Sequence, residues 1–191
     1  MANRIITVTG VTGVGKDYLV SRAVNGDHPG VKVANFGTLL GEALGMSRDQ
    51  IARMDDPERL QRAQLLAARR VLGLQPVVLC SHVAPVEADT YSLETEQAIN
   101  PKAYVVVTAP PDVIAGRVHR RNLSGERNSP EISIKETARI QTDRLSAVQE
   151  LSGRLGCEML VLENIDQDEG LANNVSQLSQ LIGTIGVSNG V

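Results

Sequence analysis

Gly10, Gly13, Gly15, Lys16 and Asp17 carry the clearest chemistry in this sequence. They spell G-x-x-x-x-G-K, followed by an acid where Ser or Thr is usual. A branched apolar run from Ile5 to Thr9 precedes them, and a helical pattern follows. Strand, glycine loop and helix in that order make a phosphate cradle. Backbone N–H groups from Gly10 through Val14 and Gly15 to Asp17 would point at anionic oxygens. The helix N-terminus adds partial positive charge. Lys16 would reach the outer phosphates. The plain alternative is a glycine-rich turn that binds nothing; the lysine, the spacing and the flanking elements argue against it.

The second chemical signal is arginine. The chain holds 15 Arg and four Lys, and Arg is the side chain that grips phosphate in a planar, two-pronged way. Arg117, Arg120, Arg121 and Arg127 cluster around a polar stretch, and Arg117, Arg120 and Arg121 share one helix face. Arg139 and Arg144 lie on the next helix, from which one of them can point back. A transferring phosphoryl group needs several cations from different directions. The competing account is a solvated helix end whose cations suit the dipole. Arg48 and Arg53 form a second group beside Asp49, Asp55 and Asp56, where surface ion pairs suffice as an explanation.

These residues need a scaffold, and the rest of the chain describes one. Short branched runs at 4–9, 31–35, 77–81, 104–108 and 157–162 read as buried strands. Helical patterns fall at 16–24, 36–44, 57–72, 92–99, 111–121, 132–155 and 169–185. Such alternation implies an α/β fold with a parallel sheet covered on both faces. Ligands of such sheets bind beyond the carboxyl ends of the strands. Two polar segments, 37–57 and 121–130, are expected on that side and outside the regular layers.

Composition sets the outer limits. The chain of 191 residues is 42% hydrophobic and 21% charged, which suits one soluble domain with a core of Val, Ile, Leu and Ala. A net charge of −3 argues against nucleic-acid binding by bulk charge. No run approaches the about 20 apolar residues of a membrane span, and no signal peptide is evident. Cys80 and Cys157 sit in apparent core strands, so a cytoplasmic protein without disulfides is expected.

In order along the chain, the motifs resemble those of the P-loop nucleoside monophosphate kinases, closest to the archaeal-type adenylate kinases. Val8 to Lys16 is similar to that group's V-T-G-V-P-G-V-G-K. Asn35 to Thr38 resembles its N-Y-G-T, and Ser47 to Met54 its D-R-D-E-M-R-K segment. Ser81 and His82 resemble the T-H after its third strand. Arg127 and Asn128 fall where its lid carries R-N-R, and Leu162 to Asn164 with Asp166 resembles its final I-E-N-x-D/E.

The resemblance implies a three-layer P-loop fold with a five-stranded sheet in the order 2-3-1-4-5. A helical acceptor insert at about 36–57 and an Arg-bearing lid at about 121–131 would complete a single kinase domain. It implies ATP and Mg²⁺ as cofactors and a nucleoside monophosphate, AMP foremost, as acceptor. Lys16 with Gly13 and Gly15 would hold the ATP phosphates. Thr38 and Arg53 would bind the acceptor, with His82 close by. Arg117, Arg121, Arg127 and Arg144 would close over the transferring group. The backbone at Asn164 to Asp166 would meet the donor base. A homo-oligomer, such as a trimer, is compatible with the resemblance.

Two departures from the family pattern coincide. The Thr or Ser after the loop lysine is Asp17, and the acid at the end of the third strand is Cys80. One explanation moves the metal carboxylate from strand to loop, so that Asp17 holds Mg²⁺. Others are a decayed metal site and catalysis lost, or an Asp17 that only caps its helix. Other readings of the chain are a small-molecule or deoxynucleotide kinase on the same fold, and a nucleotide-binding regulatory protein with weak catalysis.

Overall fold

Short branched runs supply the sheet. The computed structural model describes residues 3–25, 27–82, 93–124, 133–164 and 168–186. Its strands are β1 (Ile5–Thr9), β2 (Lys32–Asn35), β3 (Val77–Cys80), β4 (Ala103–Thr108) and β5 (Glu158–Glu163). They pair in parallel in the order β2-β3-β1-β4-β5. The helices are α1 (Lys16–Val24), α2 (Phe36–Leu44), α3 (Arg48–Ala52), α4 (Pro57–Gly73), α5 (Leu93–Ile99), α6 (Pro111–Leu123), α7 (Ile134–Leu155) and α8 (Asp168–Gly186).

Each face of the sheet is buried under different helices. Ile6, Val8, Val78, Val105 and Val107 pack against apolar residues of α1, α6 and α8. On the other face Ile5, Val77 and Leu79 meet Ala67, Ala68 and Val71 of α4, while Tyr104 and Val106 meet Val148 and Leu151 of α7. Burial of this kind, at ~25 cal/mol per Å² of apolar surface, drives the assembly. It fixes the upper end of β1, which opens into the glycine loop.

The two outer strands correct the expectation of uniform burial. Lys32 and Val33 of β2 are exposed, as are Glu158, Val161 and Glu163 of β5. Both strands are sheet edges with a neighbour on one side only, and helices cover them incompletely. Cys157 precedes β5 and is half-buried rather than a core strand residue, and Ser81 lies just beyond β3. Helix α6 holds Arg121 as expected but runs on to Leu123, so the first residues of the expected polar segment 121–130 are helical.

The segment 37–57 holds α2, α3 and the start of α4. Gly45 ends α2 in the left-handed region, and Ser47 with Gln50 forms a reciprocal cap on α3. The Asp56 side chain accepts from Arg59 N with Pro57 in the first turn, which starts α4 sharply. Among the described residues no helix is long and apolar enough to cross a membrane.

Candidate active site

The glycine loop leaves β1 at Gly10 and enters α1 at Lys16. A Cβ on Gly10 would lie 2.6 Å from the carbonyl oxygen of Val107, so only glycine lets the loop pass over β4. Gly15 caps α1 with φ +88°, and a Cβ there would lie 2.5 Å from Asn164 Nδ2. Gly15→Ala is therefore expected to lose about 1–3 kcal/mol of stability and to weaken nucleotide binding. Urea unfolding together with ADP calorimetry would check it; a variant as stable as its parent that binds ADP normally would contradict the geometry.

Lys16, His82 and Arg144 converge beside this loop. Lys16 is only 7% exposed, an unusual place for a lysine, and its Nζ lies 3.4 Å from His82 Nε2. Arg144, from the middle of α7, donates through Nη1 to the Gly10 carbonyl at 2.5 Å. The same Nη1 lies 3.4 Å from His82 Nδ1. Burial lowers the proton affinity of the Arg144 guanidinium, and its buried Nε has no hydrogen-bond partner. A buried donor without an acceptor is costly, and an incoming phosphoryl oxygen is the acceptor that fits its chemistry. Of the two arginines on α7, Arg144 thus points back to the loop. Arg139 stays exposed in ion pairs with Glu136 and Asp143. Arg121 lines a cavity of about 90 Å³ with Gly13, Gly15, Lys16, Asp17 and His82.

Arg117 does something the sequence did not suggest. Its Nη1 donates to the Val14 carbonyl at 3.0 Å and its Nη2 to the Asn164 carbonyl at 3.3 Å. Asn164 Nδ2 donates to the same Val14 oxygen at 2.7 Å, and Asn164 N donates to Thr108 O. Arg117 and the Asn164 side chain therefore tie the glycine loop to the end of β5. The family pattern pointed to the Asn164 backbone; its buried side chain, wedged beside Gly15, was missed. Only the glycine at 15, which makes room for that wedge, hinted at it.

Asp17 and Cys80 are neighbours. The Asp17 carboxylate is within hydrogen-bonding reach of the Cys80 thiol, and burial followed by that negative charge pushes the thiol up to about 12. Cys80 is therefore a neutral donor, and Asp17 also lies 3.8 Å from Lys16 Nζ. Among the described residues no three His, Cys, Asp or Glu side chains gather to hold a metal. Mg²⁺ does not require such a cage. It commonly keeps several waters and takes one carboxylate together with substrate phosphates, and a mostly exposed Asp17 beside the loop fits that demand.

Thr38 lines a separate open cavity of about 420 Å³ in the insert, with Gly37, Gly41, Glu42, Met46 and Ser47 among its walls. Its backbone N–H is taken by Asn35 Oδ1, which caps α2. Arg53 ends α3 in the same segment but is exposed and does not line this cavity. Arg127, Asp166 and most of the expected lid lie outside the described residues.

No protein-family model matches the chain. It is 27% identical to the adenylate kinase of Thermococcus kodakarensis over 93% of this chain and 94% of that one. It is 28% identical to the adenylate kinase of Thermococcus sibiricus over the same shares. The chain is a P-loop kinase related to the archaeal adenylate kinases. The adenylate kinase of Methanococcus vannielii is 30% identical over a shorter span, 60% of this chain and 62% of that one. Among solved structures, the shikimate kinase from Acinetobacter baumannii in complex with shikimate aligns with a TM-score of 0.61 at 11% identity, covering 96% of this chain and 95% of that one. The shikimate kinase from Bacteroides thetaiotaomicron aligns with a TM-score of 0.59 at 16% identity, covering 95% of this chain and 99% of that one. These two likenesses speak for the fold of this P-loop kinase.

Proposed function

We propose that this chain transfers the γ-phosphoryl group of ATP to a nucleoside monophosphate, with AMP as the acceptor, giving two ADP. The observation that carries this reading is the convergence on the glycine loop of Lys16 and of Arg144, whose buried Nε has no hydrogen-bond partner. Whole-length similarity to adenylate kinases supports the choice of acceptor.

The donor phosphates would lie over the N–H groups of residues 10–17, with Lys16 on the outer oxygens. An oxygen of the acceptor phosphate attacks the γ-phosphorus as the bond to the β–γ bridging oxygen breaks, and that oxygen leaves with the electron pair as ADP. The acceptor is already ionised, so no general base is needed. Arg144 and Arg121 would meet the charge spread over the equatorial oxygens, with Arg127 closing from the lid. Thr38 and Arg53 would hold the acceptor in the insert, while Arg117 and Asn164 keep the loop and the donor-base segment together. Asp17 would hold Mg²⁺, which when bound neutralises phosphate charge.

An ADP-release assay over AMP, CMP, UMP, GMP, their deoxy forms and shikimate tests the proposal. Turnover fastest with AMP supports it. Turnover with shikimate alone would move the chain among small-molecule kinases, and ATP binding without any turnover would make it a regulatory binder. For the metal, Asp17→Asn is expected to raise the Mg²⁺ concentration at half-maximal rate about ten-fold or more. An unchanged Mg²⁺ titration and rate would overturn the metal role of Asp17; a capping role is already ruled out, because Gly15 is the N-cap of α1 and no side chain makes a capping hydrogen bond there.

A further inference from the structure

We infer that His82 is a positioning residue that holds Lys16 and Arg144 in their phosphate-ready places, standing in for a phosphate oxygen between them. This rests on the phosphoryl-transfer reading of the same site. His82 directly follows Ser81, whose N–H donates to Val8 O at 2.9 Å, so its backbone is tied to the end of β1. The ring reaches between two cations that come from different elements, α1 and α7. Its Nε2 is 3.4 Å from Lys16 Nζ and its Nδ1 is 3.4 Å from Arg144 Nη1.

Both neighbours can only donate, whereas a neutral imidazole has one lone pair to give. The ring can therefore satisfy one cation at a time. Charge-assisted hydrogen bonds are usually about 2.7–2.9 Å, so both contacts are loose. Such a shared acceptor keeps two mutually repelling groups near one point through contacts longer than a normal charge-assisted hydrogen bond. Arg144 Nε, buried and without a partner, marks the place where a stronger acceptor is missing. A phosphoryl oxygen arriving there displaces a weak contact rather than a strong ion pair, and the cations need not be gathered at the moment of binding.

The test uses His82→Leu and His82→Gln in the full chain, with kcat, KM, thermal melting and ADP calorimetry without divalent cations. The leucine variant is expected to melt near the parent temperature yet lose about ten-fold in ADP affinity and at least as much in kcat, the loss of one hydrogen bond to a charged group. The glutamine variant, which restores an acceptor oxygen, is expected to recover most of both. Unchanged ADP affinity in the leucine variant, or equal impairment in both variants, overturns the inference. If the parent transfers phosphoryl to no acceptor, the functional reading fails by itself, and ADP affinity across the variants still decides the role of His82.

Discussion

Replacing Lys16 with Met is expected to lower kcat for phosphoryl transfer by about 10²–10³-fold, the usual loss when one preorganised electrostatic contact to a developing charge is removed. The size of the effect follows from where the lysine sits. It is the first residue of α1, buried to 7% exposure, with its ammonium held between His82 Nε2 and Asp17 Oδ1. Water screens a buried cation little, so its attraction for a phosphate is much stronger than at the surface. Methionine keeps the apolar stem and removes the charge, so the desolvation that burying an ammonium costs is relieved. The melting temperature should hold or rise while kcat falls. Rapid-quench measurement of single-turnover phosphoryl transfer, beside a thermal melt, separates the two. A variant with more than a tenth of the parent rate would show that the lysine is structural.

The second large effect lies away from the site. Glu96 on α5 is buried, accepts a hydrogen bond from Tyr104 through Oε2, and leaves Oε1 without a partner. Burial pushes this carboxyl up to about 7 from an ordinary 4.5, against the weaker opposing pull of the Tyr104 hydroxyl. The half-buried Cys157 thiol also faces it, and that thiol is itself held above its usual range. Below pH about 4.5 the carboxyl is protonated in both folded and unfolded chains and costs nothing. As pH rises from there to about 7, the unfolded chain releases the proton and the folded chain keeps it. Stability then falls by about 1.4 kcal/mol per pH unit, about 3 kcal/mol in all, and is level above that window. Glu96→Gln keeps an acceptor for Tyr104 and removes the ionisation. It is expected to match its parent near pH 4.5 and to be about 3 kcal/mol more stable at pH 8. Denaturant unfolding at those two pH values checks it. A stability difference that does not grow with pH would contradict the assignment.

Much of this was legible in the residues. The runs that became strands, the glycine loop and the place of Lys16 follow from local patterns, because branched runs and a glycine-spaced lysine leave few alternatives; the order of the strands in the sheet came only with the family resemblance. The edge strands were not legible: Val33 and Val161 are as apolar as their buried counterparts, and exposure depends on which helices happen to cover them. Glu96 was invisible for the opposite reason. In a helix reading L-E-T-E-Q-A-I, one glutamate faces solvent and the other faces Tyr104, and only packing tells them apart. Arg117 was legible as a cation near the site but not as a brace, since its partners are carbonyl oxygens of Val14 and Asn164. Main-chain acceptors leave no mark in a sequence.

That brace couples two acts of recognition. Val14 belongs to the segment proposed to cradle phosphate, and Asn164 stands just before the segment proposed to meet the donor's base. Both share Arg117 and one carbonyl oxygen, so a displacement of one is expected to be felt by the other. A donor with an ill-fitting base that displaced Asn164 would, through these bonds, displace Val14. Fidelity toward the donor would then be read as turnover rather than as affinity: a wrong nucleotide would be held, but with its terminal phosphate off the line of attack.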